Sequence, residues 1–269
     1  MPGGCPPESM PPPWLHGLSD WLNALLPLAP FERLGRLNDW ALQTGVVTES
    51  GRPLQFVPAD RPSDQPGLGY EHRIFQTGEV STRLDGTGAR HDLYNALTWL
   101  RWPLSKARLN AVHAHAAEPA QAQTGRGGLR DAATLFDENG LVWVSEDEAL
   151  DASLRHFDWS ALFIHQRVEL MTRVSTSVFG HALLHKLESP FKGITAHGLI
   201  LRLPVGSGHG EIDAELARWL TSDRLVSQGF CPVPVMGLPG WCEANSDPSF
   251  YGDTTVFRPG RMRRSSQPD

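Results

Sequence analysis

At 269 residues and 40% hydrophobic content, the chain is long enough to bury a sizeable core, which excludes a disordered or fibrous polypeptide. Its 24 basic residues against 30 acidic ones give a formal charge of -6, which excludes a protein whose whole surface grips nucleic acid. Three scattered cysteines, Cys5, Cys231 and Cys242, exclude a disulfide framework and a paired-cysteine zinc knuckle, so a reducing cytoplasm is the expected compartment.

Residues 1–13 are rich in proline and glycine and read as a disordered tail, without the basic start and apolar run of a secretory signal. A single globular domain is expected over 14–260, with a flexible tail over 261–269. No segment has the roughly eighteen apolar residues of a membrane span, so no membrane partner is expected. "WLHGLSDWLNALL" and "FERLGRLNDWALQTG" carry helical stripes, the second ending at Gly45. "YEHRIFQTGEVSTR" reads as a β-hairpin turning at Thr77-Gly78. From His91 to Trp102 the apolar residues recur at helical spacing, Pro103 breaks the helix, and Ser105 is the expected cap of a second one reaching His113.

"EPAQAQTGRGG" reads as a linker, and "RDAATLFDENGLVWVS" as a second hairpin turning at Asp137 to Gly140. Two short helices capped by Ser145 and Asp158, a helix over "VSTSVFGHALLHKLESP", a strand at "GITAHGLILRLPV" and a helix at "DAELARWLTSD" follow. The aromatic-rich, loop-rich end should wrap the body. Helices and hairpins without regular strand-helix alternation predict an α+β fold, mostly helical, with two β-hairpins.

"HALLH" sets His181 and His185 one helical turn apart, as two ligands of one metal ion would be. Ala182 follows the first histidine, so this is not the zincin motif; a structural helix face is the competing reading. In "RHDLYN", His91 and Asn95 share a face while Asp92 sits in the first helical turn, where it serves the helix dipole or chemistry equally well. Arg130 and Asp131 precede the second expected hairpin and are candidates for a cleft rim. Asp137 and Glu138 could bind a cation, but turn chemistry accounts for Asp137 without one. No glycine-rich phosphate loop is present, so no nucleotide cofactor is expected.

The blocks "HDLYNALTWLRWP", "RDAATLFDENG", "GHALLHKL" and "FYGDTTVFRP", in this order between Trp14 and Pro259, resemble an uncharacterised bacterial family classed as a domain of unknown function. The resemblance implies no particular reaction. It implies that the second histidine of "HALLH" is often acidic, a departure at His185 that would still leave a metal ligand there.

Three readings follow. The first is a metal-dependent hydrolase, with phosphoesters as its most plausible substrates. His91, His181 and His185 would hold zinc, manganese or iron, Asp92 or Asp131 would act as base, Asn95 would assist, and Arg130 or Lys106 would stabilise developing charge. The second is a non-catalytic module whose helix pair over 91–116, carrying Arg101, Lys106 and Arg108 with Trp99 and Trp102, meets nucleic acid or an acidic protein. The third leaves the polar groups as satisfied parts of the core. The first is preferred, because residues suited to chemistry recur in separate segments at loop-to-helix junctions.

Overall fold

The computed structural model describes residues 11–62, 67–116, 126–227 and 229–260. Most of the expected amino-terminal tail, much of the linker after Ala116 and all of 261–269 lie outside the described residues; a 3-10 turn spans Pro13–Leu15.

The first helices are α1 (Ser19–Leu25) and α2 (Pro30–Thr44). Proline at the first position of α2, Glu32 accepting from the Ala29 amide at 2.9 Å, and a left-handed Gly45 bound the second helix at both ends. Where a hairpin was expected, the chain forms a parallel pair, β1 (Gln55–Pro58) and β2 (Glu79–Thr82), joined through helix α3 (Tyr70–Thr77). Tyr70 and Ile74 stand at helical spacing, and Gly78, at φ 80°, ends the helix instead of turning a hairpin. A Cβ at Gly78 would lie 2.1 Å from the Pro53 carbonyl oxygen, so only glycine fits.

Helix α4 (Ala89–Arg101) is buried without interruption from Leu93 to Leu100, and α5 (Pro103–Ala116) follows after Trp102. Ser105 does not cap α5. The cap arrives from α10 (His209–Trp219): the buried Asp213 accepts from the Leu104 and Ser105 amides, both at 3.0 Å, and from the Ser105 hydroxyl at 2.6 Å. The second expected hairpin is also a helix, α6 (Arg126–Asn139), whose Ala133 and Phe136 share a buried face, leading into β3 (Gly140–Ser145). Next come α7 (Glu148–Arg155), capped by Asp147, and α8 (Arg167–Arg173), then β4 (Val174–Val178), α9 (His181–Lys186) and β5 (Thr195–Leu201). Only the end of "VSTSVFGHALLHKL" is helical, because the alternating β-branched Val174, Thr176 and Val178 favour a strand. After α10, helix α11 (Ser222–Ser227) and strand β6 (Cys231–Pro234) complete the elements.

The fold is α+β. Its larger sheet runs β4-β3-β5-β6, with β3 and β5 parallel and both outer pairs antiparallel. Alternation along β3 divides the core: Leu141 and Trp143 join the cluster that includes α1, α2 and α4, whereas Val142 and Val144 join Phe136, Leu216 and Leu225 beneath α6, α10 and α11. The sheet is therefore covered on both faces. The carboxyl-terminal segment wraps the body through short 3-10 turns, and Arg167 holds it at Asn245 (3.0 Å) and Tyr251 (2.9 Å).

Two stability predictions follow from buried carboxylates. Asp213→Ala strands the first amides of α5 and should lower unfolding free energy by about 2 kcal/mol in urea denaturation. Asp151 is buried, its Oδ2 without a hydrogen bond and 3.9 Å from the Arg202 guanidinium, and burial raises its carboxyl above the ordinary 3.8, against the opposing Trp143 hydrogen bond and Arg202. A raised folded-state value makes ionisation a penalty that is complete above that value and absent below the ordinary one. Asp151→Asn should therefore raise the urea midpoint at pH 8, and the gain should vanish near pH 4.

Candidate metal centre

The antiparallel ladder of β3 and β4 ends at the pair Leu141–Val178. Glu138 stands three residues before Leu141 and His181 three after Val178, so the same register sets them opposite one another. Glycine makes the last step possible. The Phe179 and Gly180 amides both donate to the Gly140 carbonyl, at 3.0 and 2.9 Å, and a Cβ on Gly180 would fall 2.5 Å from the Glu138 carbonyl oxygen and the Gly140 nitrogen. The start of α9 thus lies directly on the end of α6. His91, in the first turn of α4, completes the group, its ring centroid 4.5 Å from that of His181.

His91, Glu138 and His181 each offer a ligand atom within 4.8 Å of the others, the one such cluster among the described residues. The Nε2 of His91 is 3.4 Å from one Glu138 oxygen, and the Nε2 of His181 is 3.6 Å from the other. These separations are long for hydrogen bonds. They match the spacing of about 3.4 Å between atoms bound tetrahedrally to one ion at about 2.0–2.1 Å. Each imidazole has a second carboxylate behind it: Asp92 is 3.4 Å from the Nδ1 of His91, and Asp137 is 3.8 Å from the Nδ1 of His181. Carboxylates in that position orient histidine ligands and fix their tautomer. His181 is 4% exposed, and its Nδ1 has no hydrogen-bond partner.

The surrounding charges are firmly paired. Arg83 donates to Asp92 through Nε (2.8 Å), a terminal nitrogen (2.7 Å) and its backbone amide (2.8 Å). Lys106, 5% exposed, donates to Asp137 at 2.6 Å and to the Asn95 carbonyl at 3.0 Å, and Asn95 in turn donates to the Tyr70 hydroxyl at 3.2 Å. The Tyr70 ring is partly exposed while its hydroxyl reaches down to Asn95. The Asp92 and Glu138 carboxylates beside it raise His91 to about 9, whereas burial pushes His181 down toward the neutral form. Burial alone would raise Asp137, yet Lys106 and His181 bring it to about 2. Burial likewise opposes ionisation of Asp92, but Arg83 and His91 hold that carboxyl well below its usual range. Glu138 is held low by His91.

The cleft over these groups has a volume of about 330 Å³ and is also lined by Tyr70, Glu71, Ser81 and Asn95. The structure gathers His91, His181, Asp92 and Asn95 along this cleft. His185 is exposed one turn beyond His181 and falls outside the ligand cluster, with Glu138 in its place. Arg130 and Asp131 are exposed and do not line the cleft, because on a helix they stand about 10–12 Å before Glu138. Asp92 is committed to Arg83 and His91 and serves as a positioning residue. The basic helix pair offers little surface: Lys106, Trp99 and Trp102 are all buried. No helix among the described residues is long and apolar enough to cross a membrane.

Gly180 supplies a test of this construction. Its backbone conformation, φ -64°, suits any residue, so only the missing space forbids a side chain. Gly180→Ala should push α9 away from α6, lower stability by about 1–3 kcal/mol in chemical denaturation, and weaken metal uptake measured on the folded fraction.

No curated protein and no solved structure matches the chain. A family model described as "Protein of unknown function (DUF3025)" matches residues 54–261, a span that contains Glu71, His91, Glu138 and His181 together with the whole larger sheet. With most of its length inside that match, the chain belongs to the DUF3025 family.

Proposed function

We propose that the protein is a metal-dependent hydrolase of a small molecule, holding one divalent cation, zinc, manganese or iron, through His91, Glu138 and His181. The observation that carries the reading is the spacing of 3.4 and 3.6 Å from the two Nε2 atoms to the two oxygens of one carboxylate, with a further carboxylate behind each ring. Two histidines and one glutamate are a donor set suited to a catalytic ion, since they leave coordination positions for water and substrate. A cation in this position replaces the proton that His91 directs at Glu138, and it relieves two carboxylates at the negative end of the α6 dipole. The cleft of about 330 Å³ leaves room for a small substrate beside these groups. Held by these three residues, such an ion would supply Lewis-acid chemistry, activating water and polarising the bond to be cleaved. The chain's own groups orient the ligands, through Asp92 and Asp137, and tie α4, α5 and α6 together, through Lys106 and Asn95.

The free thiols of Cys231 and Cys242 support a reducing, cytoplasmic setting for this activity. The nucleic-acid reading has less support, because the rings and the lysine it requires at the surface are buried.

Plasma mass spectrometry of tag-free protein reconstituted with zinc, manganese or iron(II) tests the assignment. The wild type and His185→Ala should carry close to one ion per chain, while His91→Ala and His181→Ala should lose it after dialysis. Asp92→Asn should retain the fold and bind the ion about 10–100-fold more weakly, the usual effect of removing a histidine's supporting carboxylate. Equal metal content in the wild type and in both ligand-histidine variants would overturn the assignment.

A further inference from the structure

The charge balance of the cleft restricts what it can accept. Four carboxylates border it, Glu71, Asp92, Asp137 and Glu138. Arg83 neutralises Asp92 through paired contacts, and the buried Lys106 neutralises Asp137. A divalent cation between His91, Glu138 and His181 then matches the two charges that remain, on Glu138 and Glu71. No positive charge is left over for an anionic substrate. Nearby cations are also engaged elsewhere: Arg90 pairs with Glu188, and Lys186 donates to the Asn139 carbonyl at 2.7 Å. Neither lines the cleft. Sites that transfer phosphoryl groups do the reverse and surround the ester with surplus arginine, lysine or metal charge.

Glu71 is the one of these carboxylates with no cationic side chain bonded to it. Its Oε2 accepts from the Asn110 amide at 2.7 Å, and the same amide nitrogen donates to its backbone carbonyl at 2.8 Å. Asn110 is 2% exposed, so Glu71, which lines the cleft, is held by a buried amide. Tyr70, Asp137, Lys106 and His113 are the titratable groups that face it from α3, α6 and α5. Burial, with Asp137 adding to it and His113 and Lys106 opposing, raises its proton affinity above that of an ordinary glutamate. A carboxylate with raised proton affinity is a better acceptor for a proton from water than an ordinary glutamate.

We infer that the cleft hydrolyses a small, uncharged carbonyl compound, an amide or a carboxylic ester, and that Glu71 is its proton carrier. The inference rests on the metal-dependent hydrolase reading and narrows it against the phosphoester expected from the sequence. In the reaction, water attacks the carbonyl carbon as Glu71 takes one of its protons. The new C–O bond forms while the carbonyl π pair moves to oxygen. Return of that pair breaks the bond to the leaving nitrogen or oxygen, which receives the proton from Glu71. Water and acyl compound thus become a carboxylic acid and an amine or alcohol, with no other reactant. A cleft of about 330 Å³ lies at the small end of ligand sites, which suits a compound of a dozen or so heavy atoms.

Titration calorimetry of the full-length, zinc-loaded protein with two probes tests the inference without knowledge of the natural substrate. Acetohydroxamate is an uncharged carbonyl compound that can yield a proton to Glu71 as it binds; inorganic phosphate is the anionic alternative. The wild type should bind acetohydroxamate at least tenfold more tightly than phosphate. Glu71→Gln keeps an oxygen for Asn110 and removes one negative charge, so phosphate should bind several-fold more tightly and acetohydroxamate several-fold more weakly. Phosphate binding equal to or tighter than acetohydroxamate in the wild type, or the absence of binding by both, would overturn the substrate class. Reciprocal shifts absent in a folded Glu71→Gln would remove the role of Glu71. Failure to load zinc is a separate result, visible before any probe is added, and it would strike the hydrolase reading itself.

Discussion

Lys106 holds together the helices that carry His91, Glu138 and Glu71. Its ammonium, almost wholly buried on α5, bonds to Asp137 on α6 and Asn95 on α4, and Asn95 passes the connection to Tyr70 on α3. Removing a lysine and an aspartate from water is unfavourable by several kcal/mol per ion, and only close mutual contact with further hydrogen bonds offsets that penalty. Here the 2.6 Å contact and the Asn95 carbonyl provide both. Four helices are thereby held in one relative orientation by a pair whose geometry admits little slack. The pair also keeps Asp137 ionised next to His181, so a structural charge pair extends into the electrostatics of the cleft.

Around that pin, the cleft groups separate into those that carry charge for structure and those left for chemistry. Asp92 is absorbed by Arg83, and Asp137 by Lys106, yet each still faces the back of an imidazole. Glu138 faces the other side of both rings. The histidines are thus oriented by carboxylates on two sides and by rigid helices beneath, the kind of support that fixes a ligand to within fractions of an ångström. Glu71 stands apart, held by an amide instead of a cation.

The amino-acid pattern exposes some of this and conceals the rest. Its α+β character, the amphipathic α2, the buried α4 and the wrapping carboxyl-terminal segment are legible, because hydrophobic periodicity and proline and glycine punctuation act locally. His91, Asp92, Asn95 and His181 stand out by residue type and position. The two segments with hairpin composition are helices, and that difference reshapes the site. "DENG" has the composition of a turn, but Ala133 and Phe136 three residues apart continue a helix to Asn139, where Glu138 becomes a ligand candidate instead of a turn residue. "YEHRIF" likewise hides Glu71 on a helix face. Helical spacing of Tyr70 with Ile74 was the available signal, and the Thr77-Gly78 pair masked it. His185 drew attention as the partner of His181 by spacing alone, yet the true neighbour comes from a separate helix 43 residues earlier in the chain, which no local pattern can indicate. The Asp213 cap of α5 is remote in the same way.

The opposition of Glu138 and His181 across the end of the β3–β4 ladder makes the sheet a ruler for the site. Strand pairing can shift only in whole residues, and a shift of one turns every side chain of the moved strand to the other face. A slipped β4 would bring Val174, Thr176 and Val178 to the wrong layer and, in the same motion, carry His181 a full residue away from Glu138. Misregistered protein would therefore lack the cluster altogether, instead of holding a loosened version of it. Correct pairing of two strands that contribute no ligand is what makes the centre all-or-none.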